Sequence, residues 1–139
     1  MTSRPMLWAG RVMSCLFALF MLAASVAPKL LGMPVAEQTL AALGWPPGYA
    51  VTIGVIELTC VLLYLVPRTS FLGAVAMTAL LGGAIATHIR AASPLFSHIL
   101  FGVYLGLFMW TGLWLRDAAV RALLPYGSNR RVEHGPQLR

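Results

Sequence analysis

The chain has 139 residues, of which 59% are hydrophobic and 10% charged, and a formal net charge of +6. Soluble domains carry about 25% charged residues, so this composition excludes an ordinary water-soluble domain and points to lipid. The basic residues sit at the edges of apolar blocks, which speaks against a nucleic-acid-binding face and for the loop charges of a membrane protein.

Residues 1–31 have the outline of a signal peptide. Arg4 and Arg11 precede an apolar stretch, and Ser25-Val26-Ala27 resembles a cleavage site. Pro28 would then follow the cut, where proline is disfavoured, and Lys29-Leu30-Leu31 carries the apolar pattern onward. Retention as a first transmembrane helix, about 8–27, is expected. Residues 32–48 form the longest connection. Pro34 suits a first helical turn, and Gly44 with Pro46-Pro47 stops a helix. Val35, Ala36, Leu40 and Leu43 oppose Glu37, Gln38 and Thr39, which predicts a short amphipathic helix on the membrane surface, anchored by Trp45 and Tyr49.

A second span is predicted over 49–66. The short Pro67-Arg68-Thr69 loop forces the third, 71–90, to run back beside it. The fourth covers 95–115 and ends at Arg116-Asp117, with a short basic interfacial helix before Pro125. Each block is close to the roughly 20 residues that cross a bilayer core of about 30 Å. The expected fold is therefore all-α, an integral membrane four-helix bundle forming one domain over 1–124. The polar tail, 125–139, is expected to be disordered. With four spans, every arginine except Arg90 shares one side, and only Lys29 and Arg90 lie on the other. The positive-inside rule then places both termini in the cytoplasm.

Glu57 lies ~12 Å down its helix from Tyr49, near the middle of the hydrocarbon core. An ionised carboxylate there costs at least about 2.5–3.5 kcal/mol, so it must be protonated, partnered or lining a cavity. Gly54, Cys60 and Tyr64 share its helical face. It reads either as a proton-handling or ligand-binding acid, or as a packing device. By the same rise Gly83, Ser25 and Tyr104 fall in a similar layer, whereas His88, Arg90, Lys29 and His98 lie nearer the outer surface. The expectation is a polar funnel that opens outward and narrows to Glu57. Lys29 and Arg90 can also snorkel to the interface, and His88 and His98 can serve as satisfied helix-end histidines.

Gly82 and Gly83 are read as close-packing positions, as are Gly102 and Gly106 of a G-x-x-x-G in the fourth span. That motif supports packing within the bundle or a homo-oligomer equally well. Cys15 and Cys60 stand singly, without a C-x-x-C or Cys/His cluster, so no metal site is expected. No phosphate-binding loop, nucleophile elbow or H-x-x-x-H pair is present, and no catalytic residue is assigned.

Lys29-Leu30, Gly54-Val55-Ile56-Glu57-Leu58, Pro67-Arg68, Gly73-Ala74 and above all residues 78–90, TALLGGAIATHIR, resemble the DoxX-like family of small bacterial four-helix membrane proteins. The resemblance covers about residues 10–115. Leu80 stands where an aromatic residue often precedes the Leu-Gly-Gly, so a role that needs a ring there does not carry over. Relatives resemble the small membrane subunit of a thiosulfate:quinone oxidoreductase or parts of other membrane redox complexes. The resemblance thus implies a bacterial inner-membrane location, a redox enzyme as partner, and quinone as a candidate ligand. Its polar set is Lys29, Glu57, Thr87, His88 and Arg90, with Ser25, Tyr104 and His98 as secondary candidates from the residue reading. An accessory, ligand-binding subunit is the leading expectation. A structural or assembly protein and a small oligomeric transporter are the alternatives.

Overall fold

The computed structural model describes residues 3–123. The predicted tail, 125–139, lies outside the described residues. Helix α1 covers Arg4–Leu30 and includes a π-helical turn at Leu22–Val26. It continues past the expected end at residue 27 because the turn before Pro28 widens. Proline offers no N–H to the helical ladder, and the Ala27 N–H reaches back to the Leu22 carbonyl. Helix α2 is Pro34–Ala42, with proline in its first turn. Helix α3 is Tyr49–Leu65 and α4 is Ser70–Arg90. Helix α5 covers Leu95–Arg116 and opens on a second π-helical turn, Leu95–Ile99, directly after Pro94. Helix α6, Ala118–Leu123, follows at once. Gly44 and Gly48, at φ +78° and +92°, make the left-handed turns that bring the chain from α2 into α3.

Among the described residues three helices are long and apolar enough to cross a membrane: α1, α4 and α5. Helix α3 is as apolar but has 17 residues, the lower limit for a span. The four helices close a ring, with α1 against α5, α5 against α4, α4 against α3 and α3 against α1. The tight turns at 66–69 and 91–94 make α3 antiparallel to α4 and α4 antiparallel to α5.

The two ends of this ring are built differently. At the end holding Arg116, the helices touch backbone to backbone. A methyl group added at Gly10 would lie 2.6 Å from the Arg116 nitrogen and 2.8 Å from the Gly112 carbonyl oxygen, and one added at Gly73 would collide with the backbone of Tyr64. Glycine at these positions is what lets α1 meet α5 and α4 meet α3. Phe17, Val61, Tyr64, Met77, Met109 and Leu113 fill the resulting core and are essentially without solvent contact. The one phenol in that core is fully satisfied. Tyr64 Oη donates to the Met109 carbonyl at 2.9 Å and is bonded to Ser14 Oγ at 2.9 Å. Arg116 closes the end by donating to the Tyr64 carbonyl at 2.6 Å, with its guanidinium 4.8 Å from the Tyr64 ring centre.

The glycines expected to pack closely divide differently. A methyl at Gly102 would press on Ile85, 2.8 Å away, so this residue does set the approach of α4 and α5. At Gly106 the same methyl would make ordinary contact with Leu81 at 3.9 Å. Gly82 and Gly83 face open space, with nothing within 4 Å of an added methyl. Among the described residues, their smallness therefore brings no other helix closer. Toward the π-helical turns the core gives out, and a cavity takes its place.

Candidate functional site

The cavity measures about 730 Å³ and is walled by all four ring helices, with α2 and the turn after it contributing Val35, Leu40, Leu43 and Trp45. Most of its wall is aliphatic or aromatic. The polar exceptions are Ser25, Lys29, Thr39, Glu57, Thr87, His88 and His98.

Three of these form one network. Lys29 Nζ lies 3.0 and 2.9 Å from the two Glu57 carboxylate oxygens, and 2.6 Å from Ser25 Oγ. The Ser25 hydroxyl in turn lies 3.1 and 3.0 Å from the same two oxygens. Lys29 also reaches the Ser25 carbonyl at 3.3 Å. The pair is largely shielded, with side-chain exposures of 14% for Lys29 and 10% for Glu57. Glu57 is thus both partnered and on a cavity wall.

Two local features of the sequence put the triad together. Ser25 sits inside the π-helical turn imposed ahead of Pro28, so the wider turn presents its hydroxyl toward α3. Gly54, one turn before Glu57, lets α1 come close. A methyl there would lie 2.9 Å from the Lys29 Cβ and 3.1 Å from a Leu30 methyl. With a larger residue at 54 the two helices would separate and the ammonium would be drawn off the carboxylate. Lys29 therefore does not snorkel outward; it turns inward to neutralise the acid. The membrane-depth argument left both routes open, and Gly54 decides between them.

The remaining candidates separate into three groups. His88 and His98 face each other with ring centres 5.4 Å apart. Each is held at Nδ1 by a serine hydroxyl, His88 by Ser93 at 3.0 Å and His98 by Ser97 at 2.7 Å. This leaves Nε2 of each ring as the nitrogen available to a ligand. Thr87 lines the cavity, but its hydroxyl donates back to the Gly83 carbonyl at 2.9 Å. Arg90 and Tyr104 do not line it. Arg90 donates to the Leu43 carbonyl at 2.6 Å and so ties the turn after α2 to the end of α4. Tyr104 is exposed on α5. Residue depth had grouped it with Glu57, but helical phase turns it away.

Sequence reasoning did not foresee that α2 forms part of this wall. Ala36 and Leu40 are buried against Ala50, and Leu40 also faces the cavity, so the helix covers the space instead of lying apart from the bundle. The spacing of its apolar residues was the available signal; nothing in it specified a target.

A helical membrane bundle, tightly sealed at one end and hollow at the other, with a few polar groups on a largely apolar wall, is the class of protein that this architecture defines. The chain belongs to the DoxX-like family, whose model matches residues 12–112. Comparison with curated proteins and with solved structures gave no significant match.

Proposed function

We propose that this protein is an accessory subunit of a membrane redox system and holds a small, largely apolar ligand in the cavity, with quinones as one candidate class. The observation that carries this reading is the Lys29–Glu57–Ser25 triad on the wall of a cavity of about 730 Å³. Ligand sites typically combine an apolar cavity of roughly 300–1,000 Å³ with a few convergent polar groups. As a stability device an ion pair is a poor choice, because well-packed apolar residues serve as well or better. In this reading Glu57 exchanges a proton with the ligand, Lys29 holds the carboxylate in place, and His88 and His98 bond the ligand from the other side. Arg90 acts indirectly, by fastening α2 over the cavity.

The same reading takes α3 as a fourth span. Its 17 residues give about 25 Å of helix, and flanking residues complete the crossing. Both termini then lie in the cytoplasm of a bacterial cell, with the cavity toward the outer face of the inner membrane. Lipid surrounds the bundle, and a peripheral or membrane redox enzyme, or a second copy of the chain, is the partner. A purely structural or assembly role is the competing reading. It is favoured by one observation: every Lys29 N–H can be satisfied within the triad.

Extraction in mild detergent followed by mass spectrometry of bound small molecules separates the two. The ligand reading expects a stoichiometric apolar compound, with lower occupancy in Glu57→Gln. Finding no such compound, together with full cellular function of Glu57→Gln, establishes the structural role instead. Migration with a redox enzyme on a native gel is the accompanying expectation for an accessory subunit.

A further inference from the structure

The triad offers only acceptors. An ammonium group has three N–H donors and no acceptor, a hydroxyl has one donor, and a carboxylate has about four lone-pair sites. Lys29 has four acceptor atoms within 3.3 Å, so none of its three donors is left over. Its shortest bond, 2.6 Å, goes to Ser25 Oγ, which leaves two N–H groups for Glu57. The single Ser25 proton also goes to Glu57, as both carboxylate oxygens stand within 3.1 Å of that hydroxyl. Glu57 therefore receives at most three donors against about four sites, and Ser25 Oγ keeps a lone pair. The charges of Lys29 and Glu57 cancel.

From this count we propose, resting on the reading that the cavity holds a ligand, that the group meeting the triad is a hydrogen-bond donor on a neutral molecule: a hydroxyl, as in a phenol or the reduced, hydroxylated form of a quinone. A carbonyl, ether or carboxylate placed there would meet lone pairs with lone pairs. An anion would find no free N–H on Lys29, and a cation would add unbalanced charge to a low-dielectric site, where it is costly. Carbonyl oxygens of the ligand have their donors elsewhere, at the Nε2 atoms of His88 and His98 in the tautomer that carries the proton there. The apolar wall, including Phe20, Ile53, Leu80 and Leu105, accepts the hydrocarbon remainder. The cavity is thereby a site for a hydroxylated lipophile, with Glu57 selecting the hydroxyl.

The test uses the wild-type protein in lipid nanodiscs and two probes that differ by one methyl group, para-heptylphenol and its methyl ether, para-heptylanisole. Binding is measured per mole of protein after subtraction of partition into empty nanodiscs. A hydrogen bond to a charged acceptor contributes about 1.5–3 kcal/mol, so the phenol is expected to bind about tenfold more tightly or better. In Glu57→Gln the preference falls to within about threefold, while a bound phenol remains detectable through the apolar wall. If both probes bind and the ether equals or exceeds the phenol, the donor rule is overturned and the ligand-binding reading stands. If neither binds, the cavity reading fails and the donor rule falls with it.

Discussion

Lys29→Met is expected to lower folding stability by about 3–5 kcal/mol, the cost of leaving a buried charge without its partner. The Glu57 carboxyl is 10% exposed and, among the described residues, has only Ser25 as an alternative donor. The partners do not behave alike. Glu57→Met is expected to cost less, because Lys29 stands in the last turn of α1, one residue from the end of the helix, and its four-carbon stem can carry the freed ammonium to the interface. Removing both charges at once, in the Lys29→Met/Glu57→Met double variant, should restore much of the loss, since apolar replacement of a buried pair is often neutral or stabilising. Thermal unfolding in detergent of the four proteins completes a double-mutant cycle. A Lys29→Met protein within about 1 kcal/mol of wild type would show the pair to be solvated or unformed.

The second large effect concerns the sealed end. Gly73→Ala is expected to destabilise the bundle by about 1–3 kcal/mol or more, the range for overpacking. Its methyl would sit 2.5 Å from the Tyr64 Cα and 2.6 Å from the Leu63 carbonyl carbon. These are backbone atoms and cannot rotate aside. The displacement would also pull Tyr64 from Ser14 and the Met109 carbonyl. Gly82→Ala is the matched control in the same helix. Nothing lies within 4 Å of that methyl, so helix propensity alone applies and favours alanine by about 1 kcal/mol. Opposite signs for the two variants in the same unfolding assay are the expected result. Equal tolerance of both would contradict the backbone contact.

How far the sequence foretold this follows from the range of the forces involved. Helix limits are local, and prolines, glycines and apolar runs located the four long helices and α2. Glu57 stood out for the cost of a carboxylate within an apolar helix, whereas Lys29 was placed only nearer the outer surface, beside His88, Arg90 and His98. Their union depends on the approach of α1 to α3, which Gly54 and the π-helical turn set, and neither acts at a sequence distance that periodicity can read. The open space at Gly82 and Gly83 has the same origin. A glycine pair permits close approach, but whether a neighbour comes depends on what lies opposite: Gly83 looks into the cavity, and Gly82 is exposed outside it. Gly73, read only as part of the family resemblance, turned out to be a position where two helices touch. Tyr104 shows the limit of depth arithmetic, which gives height along a helix and not direction around it. Arg90 stood at the correct end but was already engaged by the Leu43 carbonyl of a turn 47 residues earlier.

Under the proposed function, the hollow end of the bundle is a ligand site and not a packing defect. Gly83 offers the most direct test, because it lines the cavity, a methyl added there would meet nothing within 4 Å, and it stands on a helix that carries no member of the triad. Gly83→Leu should fill part of the space and leave the bundle as stable as wild type or more so. Quantitative mass spectrometry of small molecules bound to the two purified proteins is the measurement. The expected result is a stoichiometric ligand on wild type and loss of most of it from Gly83→Leu at unchanged thermal stability. The same compound at equal occupancy on both proteins would contradict the site, and place whatever binds elsewhere on the molecule.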